Sequence, residues 1–172
     1  ILSFQSLNLH PSILKAILDQ GYLESTPIQK KAIPEILLKK HVLATAQTGT
    51  GKTAAFVLPI LQFLSQNEKK IKGPRTLIVS PTRELANQIT DSIKKYSRYL
   101  KMNSVTITGG MSYTLQNRLL SKPIDILIAT PGRLLDLYQQ KKINLKSVEI
   151  MVLDEADKML DMGFVPDIRK IF

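Results

Sequence analysis

No cysteine occurs in the 172 residues, which excludes disulfides and thiolate metal sites from this fold and suits a reducing compartment. Long apolar runs are missing as well, since none approaches the roughly 18 residues of a membrane-spanning helix. The chain opens at Ile1 with no methionine, no basic leader and no apolar leader segment. It reads as a piece of a longer protein without a signal peptide. Repeats and low-complexity tracts are absent. Acidic residues are in short supply, with 14 Asp+Glu against 24 Lys+Arg and a net charge of +10. A field of that sign attracts polyanions, nucleic acid first among them, although the paired lysines Lys30-Lys31, Lys39-Lys40, Lys69-Lys70, Lys94-Lys95 and Lys141-Lys142 also read as ordinary solvated surface. What remains is ordinary for a globular domain: 44% apolar and 22% charged residues, at a length that suits one core rather than two.

Apolar, β-branched runs recur at Val42-Leu43-Ala44-Thr45, Thr76-Leu77-Ile78-Val79, Val105-Thr106-Ile107-Thr108, Ile124-Asp125-Ile126-Leu127-Ile128 and Glu149-Ile150-Met151-Val152-Leu153. Each is a strand candidate. Between them lie stretches of helical spacing, such as Leu85, Ile89, Ile93 and Tyr96, or Leu134, Leu135 and Tyr138. The alternation calls for an α/β fold with a parallel sheet covered by helices on both faces. Residues 11–18 and 28–38 read as two helices ahead of the sheet, the second broken or kinked by Pro34. The segment 67–73 reads as a polar connector.

Open α/β sheets bind ligands outside the carboxyl ends of their strands. Thr45-Ala46, Ser80-Pro81-Thr82, Thr108-Gly109-Gly110, Thr130-Pro131-Gly132 and Leu153-Asp154-Glu155 all follow predicted strands, so one edge should carry them together. Gln47-Thr48-Gly49-Thr50-Gly51-Lys52-Thr53 has the form of a loop whose backbone N–H groups wrap phosphate oxygens at a helix N-terminus. Lys52 is suited to the β and γ phosphates, and the Thr53 hydroxyl to Mg²⁺. Ala46 stands where the general pattern has glycine. Four apolar residues ending in Asp154-Glu155 deliver a carboxylate to the same edge, Asp154 for Mg²⁺ and Glu155 to orient or deprotonate the attacking water. Taken alone, that acidic pair is as readily a helix cap. No guanine-reading Asn-Lys-x-Asp pattern occurs, and the acidic pair suits ATP-driven motors better than GTPases.

From Asp154-Glu155-Ala156-Asp157 onward through its other motifs, the chain resembles the DEAD-box RNA helicases over essentially its whole length. Gly21-Tyr22-Leu23-Glu24-Ser25-Thr26-Pro27-Ile28-Gln29 resembles the family's Q motif, with Phe4 as its upstream aromatic. Pro81-Thr82-Arg83-Glu84-Leu85-Ala86, Gly109-Gly110 and Thr130-Pro131-Gly132-Arg133 resemble its RNA-facing motifs. The run from Asp154 through Phe164 looks most like bacterial members, including the RhlE-like group.

The resemblance implies a RecA-like phosphate-loop NTPase domain spanning residues 1–172, incomplete at its C-terminal end, with residues 1–40 as a Q-motif helical extension. ATP and Mg²⁺ are the implied cofactors, with Gln29 pairing the adenine edge, Tyr22 stacking on the base, and Phe4 and Thr26 completing the pocket. Ala46 to Thr53 hold the phosphates, and Asp157 links the acidic motif to a neighbouring coupling motif. Pro81, Thr82, Arg83, Gly109, Gly110, Thr130, Pro131, Gly132 and Arg133 supply hydroxyls, guanidinium groups and N–H groups suited to RNA phosphates rather than base edges. Read in isolation, those motifs are turn and capping residues. The implied activity is ATP-driven remodelling of short RNA duplexes or RNA–protein complexes, in partnership with a second RecA-like domain. A non-catalytic, ATP-gated RNA clamp is the alternative, and a DNA translocase a weaker one. The expected setting is cytoplasmic, away from membranes, with this chain monomeric.

Overall fold

The β-branched runs form one parallel sheet, and the segments of helical spacing cover it. The computed structural model describes residues 10–19, 42–44, 52–66 and 73–155. In order these are α1 (Pro11–Asp19), β1 (Val42–Ala44), α2 (Lys52–Gln66), β2 (Thr76–Val79), α3 (Arg83–Tyr96), β3 (Ser104–Ile107), α4 (Tyr113–Leu120), β4 (Ile126–Ala129), α5 (Pro131–Gln139), a 3-10 turn at Leu145–Ser147, and β5 (Ile150–Asp154). The strands lie side by side as β1-β5-β2-β4-β3, and each neighbouring pair is parallel. Parallel neighbours cannot be joined by a tight turn, so the chain must cross over the sheet between strands.

Those crossovers fill both faces. On one, Ile78, Ile126, Ile128, Ile150 and Val152 pack in a cluster with Ile13 and Ile17 of α1, Phe56 and Leu61 of α2, and Ile89 and Ile93 of α3. On the other, Leu77, Val79, Leu127, Ala129 and Ile107 pack with Leu134 and Leu137 of α5. Every residue of β2 and β4 is consequently buried, whereas edge strand β3 alternates half-buried with buried. Continuous apolar runs are what central parallel strands need, because neither face meets water.

Several boundaries and faces differ from the sequence reading. Strand β4 begins at Ile126 rather than Ile124. The Asp125 carboxylate accepts from the Asn103 N–H at 2.9 Å, and its carbonyl accepts from the N–H groups of Arg75 and Thr76. In α3 the buried positions are Ala86, Ile89, Ile93 and Tyr96, with Leu85 only half-buried. In α5 they are Pro131, Leu134 and Leu137, while Leu135 is half-buried and Tyr138 is exposed. In α3 three of the four expected positions hold and Ala86 stands in for Leu85, whereas the inward face of α5 runs through Leu137 rather than Leu135 and Tyr138, as a short helix with apolar residues on adjacent positions allows.

The edge of the sheet away from the strands' carboxyl ends is closed by an ion pair whose arginine is buried and whose glutamate is partly exposed. Arg75, just before β2, is 1% exposed. Its Nε and Nη2 donate to Oε2 of Glu149, just before β5, at 3.1 and 3.0 Å. The predicted helix at 28–38 and the connector at 67–72 lie outside the described residues. Among the described residues no helix is long and apolar enough to cross a membrane.

Candidate functional site

With all five strands parallel, their carboxyl ends share one edge, and the loops after β2, β3, β4 and β5 leave from it together. Helices α3, α4 and α5 begin at that edge, each following a strand, so their N-termini bring unpaired N–H groups and positive potential to it.

Strand order sorts the motifs along the edge. β5 lies between β1 and β2, and its register sets Asp154 opposite Ala44, the last residue of β1. The end of β1, which in sequence runs on toward the phosphate-loop motif, is thereby brought beside Asp154. Ile150, Val152 and Asp154 alternate as the buried residues of β5. Side chains two apart share a face, so Asp154 lies on the α2 side of the sheet, where Ile150 and Val152 pack. It is 2% exposed. Thr53, second residue of α2, is half-buried. Glu155, directly after the strand, adopts φ +50. A non-glycine residue in that region carries strain of about 1–2 kcal/mol, which persists where the surroundings impose it.

The remaining motifs occupy the other half of the edge, over β2, β4 and β3, and they are tied to one another. Gly110 has φ +85, and a Cβ built on it would lie 3.2 Å from Nη1 of Arg83. The loop after β3 thus reaches the start of α3 across the intervening β4. Thr82 caps α3 by accepting from the Leu85 N–H at 3.2 Å, which is the capping role its motif suggests in isolation. Its own O–H remains a donor. Thr130 begins α5 without a side-chain cap, leaving its hydroxyl for another partner, and Gly132 has open space where a side chain would stand.

Arg133 is held from two directions. Its Nη1 donates to Oε1 of Gln116 at 2.7 Å, and its guanidinium lies 5.3 Å from the centre of the Tyr113 ring. Sequence reasoning missed both α4 residues. The available signal was a polar Gln116 within an apolar stripe formed with Leu115, Leu119 and Leu120, where packing alone would favour a hydrophobe.

Phe4, Tyr22, Thr26, Gln29, Ala46, Gln47, Thr48, Gly49, Thr50, Gly51 and Asp157 lie outside the described residues. Lys52 opens α2. The donors expected for Mg²⁺ are of a kind that suits the ion, which usually takes one or two protein oxygens and keeps phosphates and waters for the rest. A carboxylate such as Asp154 and a hydroxyl such as Thr53 are that kind of set. Among the described residues no group of three or more His, Asp or Glu forms a protein cage.

Residues 26–172 match the profile of the DEAD/DEAH box helicase family. The chain belongs to that family. It is 46% identical over 173 residues to ATP-dependent RNA helicase RhlB of Pseudomonas syringae pv. tomato, covering 98% of this chain and 44% of that protein. It is 44% identical over 172 residues to ATP-dependent RNA helicase SrmB of Escherichia coli, covering 99% and 39%. The crystal structure of a hypothetical ATP-dependent RNA helicase from Sulfolobus tokodaii superposes with a TM-score of 0.84 at 41% identity, over 95% of this chain and 46% of that one. The fold is the α/β RecA-like fold of DEAD-box helicases, and the chain corresponds to their first RecA-like domain. It spans less than half the length of these relatives.

Proposed function

We propose that this chain is the ATP-binding domain of an RNA helicase that separates short RNA duplexes, or remodels RNA–protein complexes, at the expense of ATP in a cytoplasmic setting. The observation carrying this reading is the register that sets Asp154 opposite Ala44, which joins the end of a phosphate-loop strand to a buried carboxylate on the α2 side. Lys52 neutralises the β and γ phosphates while Thr53 and Asp154 hold Mg²⁺. The ion, when bound with the nucleotide, offsets phosphate charge. Glu155 orients the attacking water in line with the γ-phosphorus, and Asp157 passes the state of the site to the coupling motif. Phe4, Tyr22, Thr26 and Gln29 form the adenine pocket, and Ala46 to Gly51 the phosphate cradle.

Recognition of RNA runs along its backbone. The edge over β2, β4 and β3 offers Arg83, Arg133, the hydroxyls of Thr82 and Thr130, and the exposed N–H groups around Gly109, Gly110 and Gly132. Pro131 opens α5 at its first turn without removing a helix hydrogen bond. These groups fit phosphates and carry little sequence information. Nucleotide and RNA then meet on adjacent halves of one edge, an arrangement suited to closure against a second RecA-like domain that binds both. That domain would also supply arginines for the transferring phosphoryl group, worth roughly 10³–10⁵ in rate in related hydrolases. The chain by itself therefore binds nucleotide and hydrolyses it slowly.

Calorimetric titration with Mg-ADP and Mg-GDP, repeated on Gln29→Ala, tests the reading. A preference for ADP that disappears on substitution supports it. Equal affinity for both nucleotides, unchanged by the substitution, would leave a phosphate loop without base selection and overturn it.

A further inference from the structure

Gln116 is the only fully buried residue of α4 among the described positions of that helix, at 0% exposure. It is also polar. Its neighbours along the stripe, Leu115, Leu119 and Leu120, are half-buried apolar residues, so packing would accept a leucine there. What the amide does instead is accept one hydrogen bond, from Nη1 of Arg133 at 2.7 Å. A guanidinium only donates, and this fixes Oε1 as the atom that faces it. The Nε2 group is thereby turned away, buried and without a hydrogen-bond partner. An unsatisfied buried donor opposes folding. The residue that takes the deepest position of α4 is thus a poor choice for stability and a good one for holding an arginine.

Arg133 itself is half-buried, with the Tyr113 ring 5.3 Å from its guanidinium carbon and Tyr113 57% exposed. The buried amide and the exposed ring hold the planar group in one orientation. A guanidinium carries five N–H donors, and Gln116 occupies one of them. The rest make no hydrogen bond among the described residues.

We infer that Gln116 is a positioning residue that pre-orients Arg133 for a phosphate of bound nucleic acid. This rests on the reading of Arg133 as an RNA-backbone contact. A long side chain that is already ordered loses less rotamer freedom when it binds. Removing the anchor should therefore weaken binding roughly three- to tenfold while leaving every cation in place.

The test is a fluorescence-anisotropy titration of a labelled single-stranded oligouridylate against the 172-residue chain at several salt concentrations. It uses Gln116→Leu, Arg133→Gln and the double variant, with thermal midpoints measured in parallel. Arg133→Gln should weaken binding and flatten the slope of log K against log salt by about 0.7, the contribution of one phosphate on a single strand. Gln116→Leu should weaken binding with the slope unchanged and the midpoint equal or higher, and the double variant should bind no worse than Arg133→Gln. Gln116→Met, unbranched and with only a weakly accepting thioether, replaces leucine if the branched side chain lowers the midpoint, and an affinity loss of the same direction is expected from it. Wild-type affinity in Gln116→Leu and Gln116→Met beside a weakened Arg133→Gln would overturn the positioning role alone. Additive losses in the double variant would do the same, since Gln116 would then act independently of Arg133. If Arg133→Gln changes neither affinity nor slope, the RNA contact itself is wrong and the inference goes with it.

Discussion

Glu149→Ala should destabilise the domain more than Arg75→Met does, although arginine is the buried member of the pair. Arg75 and Glu149 have side-chain exposures of 2% and 29%. Taking away the carboxylate leaves a guanidinium without its charge partner in a site it cannot leave, with the Phe63 ring 5.6 Å away. Stranding one member of a fully buried pair costs about 3–5 kcal/mol. Water reaching the partly exposed Glu149 position reduces that to about 2 kcal/mol. At about 2–4 °C per kcal/mol for a domain of this size, the midpoint should fall by roughly 4–8 °C. Arg75→Met removes the buried charge, keeps an unbranched apolar stem, and leaves a carboxylate that can turn toward solvent. Its loss should stay under about 1 kcal/mol, and Arg75→Met combined with Glu149→Leu should lie near the parent. Calorimetric or circular-dichroism melting of the variants decides it. A midpoint drop in Arg75→Met as large as in Glu149→Ala would refute the reasoning, because the ion pair itself, rather than the penalty of a stranded charge, would then be the stabilising element.

Other outcomes follow from single contacts at and near the site. Gly110→Ala forces a side chain into φ +85 and toward Arg83. It should cost about 1–2 kcal/mol and weaken RNA binding, whereas Gly109→Ala, with open space around it, should do neither. Thr82→Ala removes a working cap and should lower stability by about 1 kcal/mol in urea unfolding. Thr130→Ala, which removes no side-chain cap bond, should leave stability nearly unchanged. The Tyr99 hydroxyl donates to the Asp19 carboxylate, which raises the phenol above its ordinary value. The folded state favours the neutral phenol, so this tie between α1 and the end of α3 contributes fully below the ordinary phenol range. It is lost as pH climbs through the raised value. An ultraviolet titration should show one late-ionising tyrosine that disappears in Tyr99→Phe, and its absence from the parent would refute the contact.

The runs that became strands were legible because a central parallel strand needs consecutive apolar, β-branched residues, and few other elements do. Thr76–Val79 is read with both boundaries correct, and the other strand readings differ by one or two residues. The parallel sheet with helices on both faces was legible for the same reason, since strands separated by helical stretches have no shorter way to pair. Motif residues at strand ends could be named from residue type alone: glycine where the backbone must turn, threonine where a helix begins, carboxylates after an apolar run. Less legible was which side of a short helix faces inward. In α5, apolar residues at 134, 135, 137 and 138 fit two faces, and packing against β2 and β4 chose Leu134 and Leu137.

Residue type and local spacing, then, determined that this chain would build a parallel α/β domain with its motifs at the carboxyl ends of the strands, because those signals act over a few residues. Tertiary structure alone decided that β5 enters between β1 and β2 and sets Asp154 opposite Ala44. It also decided that Arg83 reaches Gly110 across β4, and that Gln116 is the buried residue beneath Arg133. Each of these depends on which distant strands and helices become neighbours, and that choice is made by burying both faces of the whole sheet at once rather than by any segment on its own.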